Sequence, residues 1–395
     1  MKKKLATLAL VGLFAAVGAF AQESTYSEAR TGHFRVLSEV GQEHAQLVGA
    51  KMEAMLEFYN DYFRFDLEQL ETPLRVRVFA SKVRFDNYLR RIIDETRDDY
   101  VYLHYTDLAK SELVGYDSEL GIADPSMNHQ AFIQYLRAFV PNPPLWMREG
   151  FAVYFEKVEY DPEFDSVIYR ENLAWLETLK SIVLDGEGMP LAMDELLAIT
   201  VDSARDKLET FYPQAWGIVS FLINAEEKEY NRILWDSISA LEPSAPMQAN
   251  VQATVEEAFQ WVDPEVATEA FVTYVDERKS FRGLVEHGIE QYGAGDLAAA
   301  EESFVKALQL REDHHIPNYY LGLINYDNGN YSMADFYYKK ALEFGAGEAL
   351  TFYALGVNAY ADNRFEEARD FLQQTVSLDP EYNDRAETLL ARMNG

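Results

Sequence analysis

Apolar and polar side chains alternate in three short stretches near the start of the chain: HFRVLSE (33 to 39), PLRVRVFAS (73 to 81) and DYVYLHY (99 to 105). A period of two sends successive side chains to opposite faces of a strand, so each stretch predicts a half-buried β-strand. Residues 43 to 63 carry apolar positions at helical spacing, as does KVRFDNYLRRI after the second strand, and both predict amphipathic helices. From 126 onward the period is helical. Helices are expected over 126 to 140, 145 to 159, 165 to 183, 191 to 199 and 211 to 227, with more to about 280. Pro141, Pro143 and Pro144 close the first, and Pro144 stands where the next can begin. A small sheet followed by a helical body predicts an α+β fold over residues 22 to 280.

The last third of the chain repeats itself. Gly288, Gly322 and Gly356 stand 34 residues apart, and Tyr292, Tyr326 and Tyr360 keep that register. So do Leu297, Tyr331 and Phe365, then Ala300, Ala334 and Ala368, then Ala307, Ala341 and Thr375. Small residues let paired helices approach, and aromatics fill the gaps between neighbouring units. Gly295-Asp296, Gly329-Asn330 and Asn363-Arg364 fit the turn inside each unit. This pattern resembles the tetratricopeptide repeat, and predicts an all-α solenoid of three repeats over residues 283 to 395. Asp327-Asn328-Gly329-Asn330 is the turn of the second repeat; it lacks the spacing and bidentate glutamate of a calcium loop. His314-His315 falls at the junction of the first two repeats and is read as a solvated turn.

Chemistry concentrates in NHQAFIQYLRAFVPNPPLWMREGFAVYFE, residues 128 to 156. PPLWMREGFAVYFE resembles the helix that brings a glutamate to zinc in gluzincin-type, peptidase-MA-like domains, which often come fused to tetratricopeptide repeats. GHFRVLSE, VRVFASKVRFDNYL and FYPQAWGIVSFLIN are similar to other segments of that family, in order, across most of residues 32 to 280. The resemblance implies a zincin-like helical body. It also implies two histidines four apart on one helix face, a general-base glutamate beside the first, and Glu149 as third ligand. Counting back from WMREG, that slot falls on Gln130-Ala131-Phe132-Ile133-Gln134. Both imidazoles are then carboxamides, which are weak zinc ligands, and the base is a methyl group. Moving the register by one residue makes His129 the first ligand, leaves Gln130 in the base position and puts Ile133 in the second ligand position. His129 lies about 100° round the helix from Gln130 and is read as hydrogen-bonded or surface-exposed. Arg148 is expected in solvent. Glu156, seven residues after Glu149, is expected on the same helix face, as a surface charge.

Composition narrows the reading. With no cysteine there is no disulfide, thiolate metal site or cysteine nucleophile, so packing alone holds the chain together. Residues 1 to 21 read as a signal peptide: Lys2, Lys3 and Lys4, an apolar run from Leu5 to Phe20, then Ala19-Phe20-Ala21 before Gln22. Export to a bacterial periplasm is expected, with no stable membrane span once the signal is removed. The signal carries three lysines and no acid, which leaves 32 basic against 66 acidic residues, or −34. Such a field repels phosphate backbones and disfavours nucleic acid.

These features predict an exported, non-catalytic binding protein or scaffold derived from a zinc peptidase, with no cofactor. Gln130, Gln134 and Glu149 would form a polar patch in the old cleft. The repeats would hold a protein or peptide partner, with Tyr319, Tyr320, Tyr337, Tyr338 and Tyr353 as contact residues or as packing between helices. The alternative is an active zinc hydrolase using Glu149 with His129. A third reading makes the body a platform for the repeats.

Overall fold

The computed structural model describes residues 26–186 and 190–393; the expected signal peptide lies outside them. Two strands, β1 (Ser27–Arg30) and β2 (Phe34–Ser38), precede helix α1 (Gln42–Phe63). Then follow β3 (Leu74–Phe79), α2 (Lys82–Ile93), β4 (Val101–Leu103) and β5 (Glu112–Tyr116). The strands form one mixed sheet in the order β1-β2-β3-β5-β4, with β2, β3 and β5 parallel and the two edge strands antiparallel to their neighbours. Alternation gives the sheet two different faces. Phe34, Val36, Leu74, Val76, Val78 and Leu113 enter the core beneath α1, while Arg75 and Arg77 on the other face pair with the buried Glu112 at 3.0 and 2.9 Å. Strand β5 escaped the sequence reading because a central strand buried on both faces has no alternation to show. Its Gly115 makes room for the Tyr100 ring, whose nearest atom would stand 2.2 Å from an added Cβ.

The helical body starts with α3 (Pro125–Phe139) and α4 (Leu145–Tyr154). Here the structure departs from the expected helices. The helix expected to reach 159 stops at Tyr154, and the start of the one expected over 165 to 183 is a hairpin, β6 (Glu159–Asp161) with β7 (Ser166–Ile168). Asp161 accepts hydrogen bonds from the Glu163 and Phe164 amides, and Asp165 turns left-handed at φ 47°, so the chain reverses before a helix can start. Helix α5 covers only Leu176–Val183. The body continues through α6 (Met193–Leu197), α7 (Val201–Ala204), α8 (Leu208–Asn224), α9 (Lys228–Ser239), α10 (Met247–Ala258) and α11 (Pro264–Glu277). One continuous core cluster joins residues from Ala29 to Val275. Residues from Leu284 onward fall in separate, smaller clusters.

Three helix pairs follow: α12 (Phe281–Gly293) with α13 (Leu297–Leu310), α14 (His315–Asp327) with α15 (Tyr331–Glu343), and α16 (Glu348–Ala361) with α17 (Phe365–Leu378). A last helix, α18 (Asn383–Met393), packs on α17 and α16. The periodic residues do the same work in each pair. A Cβ on Gly288, Gly322 or Gly356 would stand 2.9, 2.5 or 2.9 Å from Phe304, Tyr338 or Leu372 of the second helix. At the turns Gly295, Gly329 and Asn363 take φ of 83°, 75° and 60°, the left-handed conformation that ends a helix and reverses the chain. Among the described residues no helix is long and apolar enough to cross a membrane.

Candidate functional site

Helices α3 and α4 carry the residues singled out from the sequence. Asp124 caps α3 by accepting from the Ser126 amide, and Pro125 occupies its first turn. Helix α4 starts after Pro144 and lies hard against α8. A Cβ on Gly150 would come within 2.5 Å of the Ala215 carbonyl oxygen, so only glycine permits this approach. Glu149, the residue before Gly150, is buried as a result.

The Glu149 carboxylate is engaged by Arg148 and approached by His129. Arg148 donates from Nε to Oε1 at 2.7 Å, and His129 Nε2 lies 3.7 Å from Oε2. Burial pushes the Glu149 carboxyl up, but contact with His129 and the Arg148 charge outweigh it and hold the carboxyl below its ordinary range. Arg148, expected in solvent, is instead mostly buried, at 17% side-chain exposure, because its fork folds back onto the neighbouring carboxylate.

The polar patch expected from Gln130, Gln134 and Glu149 does not assemble. Gln130 Oε1 accepts from the Tyr102 amide of β4 at 3.1 Å, and Gln134 Nε2 donates to the Arg75 carbonyl of β3 at 2.9 Å. Ala131 is buried in the core. Residues four apart share a helix face, and here that face is the one that meets the sheet. The 100° rotation that set His129 aside in the sequence is what turns it towards Glu149. Glu156 lies beyond the end of α4, where it accepts from Asn172 Nδ2 at 2.8 Å, so it shares no helix face with Glu149.

Four residues around this pair carry no sequence motif. Arg137, in the last turn of α3, donates from Nε to the Pro141 carbonyl at 3.0 Å. Burial and the charges of Arg137 and Arg148 push the His104 imidazole down to about 4. Tyr102 lies beside His104, ring centroids 5.8 Å apart. Burial and the Glu149 carboxylate push up the Tyr212 phenol of α8. These residues come from three separate elements, so no spacing along the chain announces them. A groove of about 960 Å³ opens beside α3, with His129, Gln130 and Glu156 on its wall together with Asp98, Asp117 and Asp124.

The residues present do not fit a zinc ion. Among the described residues no group of three or more His, Cys, Asp or Glu is arranged to hold a metal. His129 and Glu149 supply two donors where zinc takes at least three from protein, and the Arg148 guanidinium takes up one oxygen of Glu149.

The tyrosines of the repeats are bound up with packing. Tyr338 is fully buried under Gly322, Tyr320 stacks on Phe304 with centroids 5.0 Å apart, and Tyr319 meets Tyr338 at 5.6 Å. Tyr353 packs against Tyr382 at 5.2 Å, and Tyr337 is half-buried beside the exposed Phe336. Tyr338 is therefore no contact residue for a partner; its ring fills the space left by a glycine.

Compared with known proteins, residues 318–344 match the tetratricopeptide repeat family. No curated protein matches the chain.

Proposed function

We propose that this chain is an exported, non-catalytic binding protein: a peptidase-MA-like, zincin-like body that has lost its metal centre, joined to three tetratricopeptide repeats that hold a protein or peptide partner. The observation that carries this reading is the closed state of Glu149. Its carboxylate, the position the gluzincin resemblance assigns to the third zinc ligand, is taken up by Arg148 and approached by His129. A guanidinium already neutralises the charge that a metal would need, and Gln130 and Gln134 are spent on strand backbone. The repeat match and the three helix pairs support partner binding, since stacked helix pairs of this kind present extended binding surfaces. The basic, apolar and small-residue order of residues 1 to 21 supports export to the periplasm.

One observation favours a second reading, an active zinc hydrolase. His129 and Glu149 do stand side by side, 3.7 Å apart, as two ligands of one metal would. The two readings separate on metal content. Residues 22 to 395, purified without chelator and offered zinc, should show no bound zinc above background by mass spectrometry. One zinc per chain, lost in Glu149→Ala, overturns the non-catalytic reading and calls for a peptidase assay.

A further inference from the structure

We infer that the groove between the end of α1 and the end of α9 is a docking site for an acidic peptide segment, one that carries an aromatic side chain beside a carboxylate. The inference goes beyond the reading just given: it places a partner on the body instead of the repeats, and it holds whatever the state of Glu149.

A groove of about 750 Å³ lies here, walled by Tyr62, Phe65, Trp235, Ile238 and Leu241. Trp235 is 40% exposed, so a large aromatic surface faces water on a wall that is otherwise apolar. Covering such a surface is favourable in proportion to its area, and contact between rings adds to that. The wall is held from behind. Tyr62 packs on Phe155 with ring centroids 5.2 Å apart, and Phe65 stacks on Phe139 at 4.8 Å. An occupant therefore meets a surface that is already ordered, which lowers the cost of association.

Charge and hydrogen bonding choose the occupant. Arg64 is the one charged residue lining the groove, and among the described residues its guanidinium has no protein acceptor. The indole N–H of Trp235 likewise donates to no protein group. What the groove offers is a positive charge and unspent donors, which a carboxylate answers; its walls answer an aromatic ring. Trp, Tyr and Arg are also the residue types that dominate binding energy at protein interfaces. A second copy of this chain would bring another arginine and no acid to the same groove. The net charge of −31 opposes any anion at long range, but at about 0.15 M salt it is screened beyond about 8 Å, whereas Arg64 acts at contact.

Arg64 also stands where the backbone favours glycine. It ends α1 in the left-handed conformation, φ 54°, with its amide donating to the Asn60 carbonyl at 2.8 Å. Glycine takes this conformation without strain, so the fold does not need the side chain that the groove uses. Stability and binding can therefore be separated in one substitution.

The test uses the full mature chain, residues 22 to 395, in about 0.15 M salt. The probes are three end-blocked dipeptides, N-acetyl-Glu-Phe amide, N-acetyl-Gln-Phe amide and N-acetyl-Glu-Ala amide, together with phenylacetate. Binding is read by NMR from the Trp235 indole N–H signal, assigned by its loss in Trp235→Phe. The Glu-Phe peptide should bind and move that signal. The Gln-Phe and Glu-Ala peptides should each bind about tenfold more weakly, as expected for losing the charge-assisted hydrogen bond or the ring contact. Arg64→Gly should keep or raise the urea midpoint and yet erase the preference for Glu over Gln. No shift of the Trp235 signal by the Glu-Phe peptide overturns the inference, as does equal binding of the Glu and Gln peptides. A preference for Glu that survives in Arg64→Gly overturns it as well. Phenylacetate binding more tightly than the Glu-Phe peptide also overturns it, since the groove would then belong to a small aromatic acid.

Discussion

Lys51 of α1 is fully buried, and its amine is where the body's stability should respond most sharply to pH. Nζ donates to the Ile122 carbonyl at 2.5 Å and lies 3.9 Å from Met127 Sδ, and among the described residues no carboxylate forms an ion pair with it. Burial pulls the ammonium down from 10.5 to about 7, against a weaker upward pull from Asp124. Between those values the unfolded chain holds a proton that the folded chain has released, so stability rises with pH through that window. At about 1.4 kcal/mol per unit the full effect approaches 5 kcal/mol, complete below pH 7 as a penalty and absent above 10.5. Lys51→Met keeps the length of the side chain and removes the charge, but leaves the Ile122 carbonyl without its donor, a loss of about 1–3 kcal/mol. The variant should therefore be more stable than wild type by about 2–4 kcal/mol at pH 6, and the advantage should shrink by about 3 kcal/mol on going to pH 9.5. Urea denaturation followed by tryptophan fluorescence isolates this transition, because all five tryptophans lie between residues 146 and 261, outside the repeats. A difference between variant and wild type that stays constant across that pH range would refute the reasoning.

Three further substitutions probe the site and the close helix approaches. Glu149→Gln removes the counter-charge of the buried Arg148 and should lower body stability by about 3 kcal/mol at pH 7. The wild-type carboxyl is held below its ordinary 4.5, so its contribution is full above that pH and is lost as pH falls through the lowered value. Fluorescence-monitored urea curves at pH 7 and in acid should show the gap between wild type and variant closing on acidification. Gly150→Ala drives a methyl to 2.5 Å from the Ala215 carbonyl oxygen, which is backbone and cannot step aside; a loss of about 3 kcal/mol in the tryptophan-reported transition is expected. Gly322→Ala sets a methyl at the same distance from the Tyr338 ring and should cost about 1–3 kcal/mol in the helical circular-dichroism transition while sparing the tryptophan signal.

What the sequence determined by itself is the part that periodicity encodes. The 34-residue register of Gly288, Gly322 and Gly356 places each glycine against a bulky side chain of its partner helix, and the turns at Gly295, Gly329 and Asn363 fall where that register requires. A repeat interacts mainly with its neighbours, so local pattern is enough to specify it. The strands around Val36 and Val76 were legible for the same reason, since one face of each is buried and the other is not. Strand β5, buried on both faces, and the hairpin at 159 to 168, set by the Asp161 and Asp165 turn, carry no such periodic signal. The candidate site depended on tertiary structure almost entirely. Glu149 was visible in WMREG, but its partners were decided by which face of α3 meets the sheet. Packing turned Gln130 and Gln134 to strand backbone and His129 to the carboxylate. Side-chain identity and spacing specify a helix face; only the packing of that helix against β3, β4 and α4 decides what each face meets.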